Sequence, residues 1–414
     1  MAVTHNYLKY KYGLFVHYAY GDAEEPVTRN ADGTNPTSLD DLADRFDVEA
    51  FVGDVVSFGV EYVIFTAWHY RMNMLYPSVV MDAWRGGHAS RRDVIGELID
   101  RLKGTGVALY LYTHPADGHD FSAEDQERTG WNGPAPYEKW NAFINAVYEE
   151  VTVRYGRDVE GYLFDSTWPE QVDRSTLRKT ILSRQGDLAL VALYDQRNEC
   201  CDYCSKEVRF PDEILWFNEY PPITRYDVST WPSYRRLVAI VQGGDWCAAG
   251  GSAQYTAEMM FRYTVLQAAT ATESAGVVWS AGPYPGGRWE TNVRERFQAL
   301  GSCLAPIAES IKCTYPSTSY VTAEGSKILT LPWGVVATRS VDDRYEYIHV
   351  LIPPAEGTIH LPPPADGKRF VSAALLTTGE QASMTQTARG VDLALPKGFR
   401  WDTLDAVFRL TVRP

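Results

Sequence analysis

Over its first 300 residues the chain alternates short apolar runs with longer stretches in which apolar residues recur every three or four positions. The short runs, at 13–18, 62–67, 107–112, 161–164, 188–194, 237–241 and 276–279, are rich in β-branched and aromatic residues and predict strands. Between them, 92–103, 137–155, 175–184 and 256–274 carry helical periodicity. In 92–103, Val94, Ile95, Leu98, Ile99 and Leu102 fall on one helical face, and Gly104 and Gly106 close the helix before the next strand. Near-continuous apolar strands alternating with helices imply a parallel sheet covered on both faces. Seven or eight such units predict a (β/α)8-type, TIM-like barrel rather than an open doubly wound sheet.

After about Ser317 the pattern changes to short alternating runs at 327–331, 334–340, 345–352, 369–376, 391–395 and 406–412. Turns such as Leu361-Pro-Pro-Pro-Ala-Asp-Gly367 separate them, as in a small antiparallel β-sandwich. The expected division is therefore a barrel over 1–315 and a C-terminal sandwich over 316–414.

Composition narrows the function classes. A formal charge of −14 disfavours nucleic acid and anionic membrane as partners, because both reward basic surfaces. No strand is followed by a G-x-G-x-x-G or a P-loop, which removes the nucleotide-binding reading. No apolar run approaches a membrane span, and the first ten residues lack the apolar core of a secretory signal, so the expected location is cytoplasmic, with a secreted mature form that has lost its signal as the alternative. Aromatic residues make up 13% of the chain, which suits carbohydrate binding as well as a large core. Cys201-x-x-Cys204 has the spacing of half a zinc site, but no second pair follows, so packing or a local disulfide is the expected use.

The candidate chemistry lies where the strands end. An apolar strand stops on a carboxylate in Gly161-Tyr-Leu-Phe-Asp165, with Trp168 three residues on. A carboxylate in that place sits where barrel enzymes keep their catalytic groups, and the indole could wall a sugar face. The plain alternative is an Asp that caps the next helix. Other predicted strands run into His17, into Trp68-His69-Tyr70-Arg71, into Tyr112 and His114, into Tyr194, Asp195 and Arg197, and into Asp245-Trp246. So many histidine, aromatic and charged residues at successive strand ends point to a sugar-processing mouth. A metal reading through His17, His69, His114 and Asp165 stays open beside it, although only one histidine ends the first strand.

The ordered set of motifs resembles the α-L-fucosidases of glycoside hydrolase family 29. Lys11-Tyr-Gly-Leu-Phe-Val-His-Tyr18 is similar to the family's K-[FY]-G-[IL]-F-[IV]-H-W opening. The segment from Tyr62 to Ser78 is similar to Y-[VA]-[VI]-L-T-A-K-H-H-D-G-F-x-L-W-P-S, and Ser90-Arg-Arg-Asp-Val94 to S-x-x-R-D-[VL]. Gly161–Asp165 with Trp168 resembles the nucleophile strand L-W-F-D-G-x-W, and Gly276-Val-Val-Trp-Ser-Ala-Gly-Pro283 with Gly287 resembles G-x-L-L-L-N-[VI]-G-P…G.

The resemblance implies a retaining exo-glycosidase with Asp165 as nucleophile, His17 and His69 on the sugar hydroxyls, and Trp168 beside the nucleophile. Arg197 is similar to the Arg of an N-x-R segment that would sit near it. Tyr70, Tyr112, His114 and Trp246 complete the expected substrate-binding set. The chain departs from the family pattern at Trp68, Tyr70 and Arg71, where Lys, His and Asp would stand, which implies a bulkier and differently charged pocket rim. The general acid/base is assigned to Glu219, with Asp245 as the alternative. Neither a cofactor nor a metal is expected. The expected partner is an oligosaccharide or small glycoside, and a homo-oligomer is possible. A glycosidase of the same fold retuned to another sugar, and a non-catalytic carbohydrate-binding homologue, are the competing readings.

Overall fold

The computed structural model describes residues 10–21, 27–165, 169–186, 189–193, 203–207, 236–269, 274–320, 331–332, 334–355 and 357–414. Eight parallel strands close a barrel: β1 (Tyr12–Val16), β2 (Tyr62–Thr66), then, after the short antiparallel pair β3 (Trp68–His69) and β4 (Asn73–Met74), β5 (Ala108–Thr113), β6 (Gly161–Phe164), β7 (Ala189–Leu193), β8 (Tyr203–Glu207), β9 (Arg236–Val241) and β10 (Ser274–Ser280). The ring closes where β1 pairs with both β10 (Leu14 opposite Trp279) and β2 (Leu14 opposite Val63).

Side chains alternate across each strand, so one row of each fills the barrel and the other meets the helices. Phe15, Tyr62, Ile64, Tyr110, Tyr112 and Leu163 point inward and form one buried cluster. Leu14, Val16, Val63, Phe65, Leu111 and Phe164 point outward into the larger core shared with the helices. Gly13 is required by this packing: a Cβ there would lie 2.3 Å from the Tyr62 ring. The helix Val94–Leu102 starts on Asp93, whose carboxylate accepts from the Gly96 N–H, and buries the five apolar residues that the spacing singled out.

Seven barrel strands lie within two residues of the predicted runs. The eighth, β8, escapes the pattern because Tyr-Cys-Ser-Lys-Glu contains no apolar run; backbone pairing to β7 and β9 holds it. Cys204 lies in this strand, and Cys201 lies outside the described residues.

The C-terminal part is a sandwich of two antiparallel sheets. β11 (Thr314–Pro316), β12 (Val335–Ser340), β13 (Tyr345–Val350), β15 (Phe370–Leu375) and β18 (Ala406–Val412) form the larger sheet, and β14 (Thr358–Leu361), β16 (Ser383–Thr387) and β17 (Gly390–Ala394) the smaller. Ile348, Phe408, Leu410, Ile359, Val391 and Leu393 pack between them. β14 and β16 were not predicted, since one is only four residues long and the other reads Ser-Met-Thr-Gln-Thr on an edge. Most of the expected run 327–331 lies outside the described residues. On the barrel side, Arg262 of the helix Ala257–Ala269 donates to the carbonyls of Leu351 (2.5 Å) and Thr403 (2.7 Å). Among the described residues no helix is long and apolar enough to cross a membrane.

Candidate active site

The inward rows continue past the C-terminal ends of the strands and decide what faces the mouth. On β1 the row Gly13, Phe15 leads to His17; on β5, Tyr110 and Tyr112 lead to His114; on β6, Leu163 leads to Asp165. Asp165 is anchored by its own N–H, which donates to the Thr113 carbonyl at 2.9 Å. Its Oδ2 accepts a 2.5 Å hydrogen bond from the fully buried Tyr112 hydroxyl. His17, His69 and Asp165 each bring a ligand-type atom within 4.8 Å of the others. The centroid of the His17 ring lies 4.6 Å from that of Tyr112 and 5.9 Å from that of His69. Burial, then the neighbouring His69, pushes the His17 imidazole well below its ordinary range, so it is neutral at neutral pH and offers one donor and one acceptor. Among the described residues its Nδ1 is buried without a hydrogen-bond partner, as expected of an atom reserved for a ligand. The same three groups could hold a borderline cation such as Zn2+.

A carboxylate that the sequence reading missed stands behind this group. Asp117, fully buried in the turn after β5, lies 2.9 Å from His114 Nδ1 and 3.9 Å from His69 Nδ1. The rings of His114 and His69 stack 11° apart with centroids at 5.6 Å. The geometry to His114 is that of an ion pair rather than of an aligned hydrogen bond. Burial by itself would lower the His114 imidazole, but the Asp117 charge, with a smaller pull from Asp165, holds it above its ordinary value. His114 therefore stands behind His69 with its charged form favoured by Asp117. The signal was present as His114-Pro-Ala-Asp117, a carboxylate three residues after a strand-end histidine.

The structure corrects the expected rim. Trp68 is fully buried and faces the helix layer, its ring 5.1 Å from Tyr148 and its Nε1 donating to the His114 carbonyl at 3.2 Å. Strand alternation explains this, because Trp68 and His69 point to opposite faces of β3. Tyr70, Arg71 and Met72 then turn with φ of 47°, 51° and 51°, a run in the left-handed region. The turn lays the Tyr70 ring against His69 (4.5 Å) and packs it with Ala19, Val27 and Cys247. It carries the Arg71 guanidinium outward, where Nε donates to the Asp120 carbonyl at 3.2 Å. Buried Arg85 braces the turn: it donates to the Arg71 carbonyl (2.7 Å), pairs with Asp125 (3.3 Å) and stacks 3.4 Å over Phe121.

On the opposite side Trp246, from the loop after β9, covers the barrel interior with its ring 5.2 Å from His17 and 5.9 Å from Phe15. Asp245 is exposed and its Oδ1 accepts from the Trp246 N–H at 2.8 Å. Of the expected site residues, His17, His69, Tyr70, Tyr112, His114, Asp165 and Trp246 thus converge on one mouth. Trp168, Arg197 and Glu219 lie outside the described residues, as do Tyr194 and Asp195.

The family model for α-L-fucosidases matches residues 2–305. The chain belongs to the α-L-fucosidase family. It is accordingly a glycoside hydrolase of the α-L-fucosidase type. Similar solved structures include the α-L-fucosidase of glycoside hydrolase family 29 from Bacteroides thetaiotaomicron, trapped as a covalent intermediate with 2-fluoro-fucosyl fluoride. That enzyme is 18% identical, with a TM-score of 0.69 over 99% of this chain and 95% of its own. α-L-Fucosidase isoenzyme 1 from Paenibacillus thiaminolyticus is 17% identical, TM-score 0.69, covering 99% and 98%. The Thermotoga maritima α-fucosidase is 15% identical, TM-score 0.65, covering 99% and 97%. No curated protein matches in sequence. Identities this low carry the barrel-plus-sandwich fold, while the choice of sugar rests on the pocket itself.

Proposed function

We propose that the chain is a retaining exo-α-L-fucosidase that cleaves a terminal α-L-fucosyl residue by double displacement. The observation that carries the reading is Asp165, held at the mouth of the barrel by the Thr113 carbonyl and the Tyr112 hydroxyl with neutral His17 beside it. In the first step an Asp165 oxygen attacks the anomeric carbon as the bond to the leaving oxygen breaks, giving a glycosyl ester. A carboxylic acid, which we assign to Glu219, gives its proton to the departing oxygen; as carboxylate it then takes a proton from the water that cleaves the ester. The product retains its configuration, and the two carboxyls are expected to stand about 5–5.5 Å apart. His17 and His69 would orient ring hydroxyls, Trp246 would cover the apolar face, and His114 and Trp168 would complete the pocket with Tyr70 as its side wall. Arg197 would sit near the nucleophile.

The test is hydrolysis of an aryl α-L-fucoside by the wild type, Asp165→Ala and Glu219→Ala, with azide added to each variant. Asp165→Ala should lose turnover and, with azide, release the fucosyl azide of inverted configuration. Glu219→Ala should keep turnover of a good leaving group and give the azide of retained configuration. A first-formed product of inverted configuration from the wild type would refute the mechanism. Turnover of a differently configured aryl glycoside alone would favour a retuned glycosidase. Sugar binding with no turnover of any glycoside would favour a carbohydrate-binding homologue.

A further inference from the structure

The loop that carries Trp246 is built around one side chain to which the proposed chemistry gives no part. Glu290, only 4% exposed, lies between β10 and the helix Val293–Leu304, and its carboxylate points into the loop 243–251. Its Oε2 accepts from the Gly244 N–H (2.6 Å), and its Oε1 from the N–H groups of Ala249 (3.0 Å), Gly250 (3.1 Å) and Gly251 (2.7 Å). No Lys or Arg pairs with it among the described residues, so backbone N–H groups balance its charge. The loop closes on itself at its base: a Cβ on Gly244 would lie 2.4 Å from Gly251 Cα, and one on Gly251 would lie 2.2 Å from Gly244 Cα. At Gly243 the constraint is milder, a Cβ there lying 2.9 Å from Glu290 Oε2. Between these glycines stand Asp245, Trp246 and Cys247, and Cys247 bridges in parallel to His17.

We propose that Glu290 is a positioning residue that fixes the Trp246 indole as the apolar wall of the sugar pocket. The proposal rests on the reading of this mouth as a sugar site and extends it. Four N–H groups converge from both arms of the loop on one buried point, where each needs an acceptor. An ionised carboxylate has about four lone-pair sites and no donor, whereas a Gln amide has half the acceptors and would set two N–H donors against the loop. With the carboxylate in place the two arms are clamped and the indole at the tip stays over His17 and Phe15. Without it the arms separate and the wall loses its position.

The test uses the full chain and two independent readouts on Glu290→Gln. In amide hydrogen exchange, the 243–251 segment should exchange about tenfold faster or more while β1, β2 and β5 keep their protection. In aryl α-L-fucoside kinetics, KM should rise about tenfold with kcat changed less than about threefold, because the lost contact binds substrate rather than reacts with it. The double variant with Trp246→Ala should be no worse than Trp246→Ala alone, since both remove one wall. Unchanged exchange in 243–251, or effects of the two substitutions that simply add, would overturn the proposal. A wild type inactive on every fucoside would count against the proposed function, and the exchange result would still decide whether Glu290 clamps the loop. If Glu290→Gln does not fold, Glu290→Asp, with its charge drawn back by one methylene, carries both readouts with smaller expected effects.

Discussion

Replacing Asp117 with Asn is expected to destabilise the protein by an amount that depends on pH. The substitution keeps the shape of the side chain and an acceptor for the Met72 N–H, which now donates to Oδ2 at 3.3 Å. It removes the charge that stands 2.9 Å from His114. Burial would by itself raise the Asp117 carboxyl, yet the His114 charge, with a smaller effect of His69, holds it well below the usual carboxylate range. Breaking a buried ion pair from one side costs about 3–5 kcal/mol, and the retained acceptor places this case at the low end, about 3 kcal/mol. For a protein of this size that corresponds to a fall of roughly 3–5 °C in Tm.

The pH dependence follows from the directions of the two shifts. The folded value of His114 is raised above its ordinary 6.5, so its contribution is complete below that value and is lost as pH climbs through the raised one. The folded value of Asp117 is depressed below its ordinary 3.8, so its contribution is complete above that value and is lost only in stronger acid. Both groups contribute fully between about pH 5 and 6.5. Urea unfolding of wild type and Asp117→Asn at pH 5.5 and at pH 9.5 gives the measurement. His119, lifted to about 9 chiefly by its hydrogen bond to Asp120 and only least by Asp117, titrates in both proteins and adds a minor part to the difference. The expected result is a large gap at pH 5.5 that shrinks at pH 9.5. An equal gap at both values would refute the ion-pair argument, and no gap at either would mean that the carboxylate carries no buried charge.

Three further outcomes are expected. Tyr112→Phe removes a hydrogen bond to a charged acceptor, worth about 1.5–3 kcal/mol, and should lower kcat on an aryl α-L-fucoside by roughly 10- to 100-fold without unfolding the barrel, as circular dichroism would show. Gly13→Ala forces a methyl into the Tyr62 ring and should cost about 1–3 kcal/mol of stability, read as a lower denaturation midpoint. Arg85→Met keeps much of the buried bulk but drops the hydrogen bond to the Arg71 carbonyl and the pair with Asp125; the left-handed turn should relax, moving Tyr70 and raising KM, whereas an unchanged KM would show that the turn holds itself.

How far the chain could be read from its residues follows the same physics. Strands buried on both faces are runs of apolar residues, so seven of eight barrel strands stand out, and Tyr203–Glu207 does not because its residues form no apolar run. His17, Tyr112 and Asp165 were legible because each ends such a run with a change of chemistry. Glu290 was not, because it acts through a turn of backbone that no periodicity marks, and Asp117 shows only in its place three residues after the strand-end His114. The expected bulk of Trp68 and charge of Arg71 at the rim failed for a related reason. Which way those side chains face is decided by the register of a two-residue strand and by three successive positive φ angles, and a motif comparison carries neither.

The buried charges of this barrel share a use that explains where they stand. Burying a carboxylate is costly unless hydrogen bonds or opposite charge surround it, so each one marks a place where unbalanced donors had to be gathered. At the mouth, Asp117 gathers His114, His69 and the Met72 N–H, and Glu290 gathers four N–H groups of the Trp246 loop. At the other end, Glu61 accepts from the N–H groups of Lys11 (2.7 Å), Tyr12 (3.0 Å) and Cys313 (3.0 Å), tying the start of β1 to the segment that leads into the sandwich. Strands need no such clamps, because neighbouring strands satisfy their backbone groups; irregular loops do. A site made of strand ends and loops therefore inherits its precision from carboxylates that never touch the sugar. On this argument, substitutions at Asp117 and Glu290 should disturb binding at the mouth, whereas Glu61→Gln at the base should lower stability and leave KM for the fucoside unchanged.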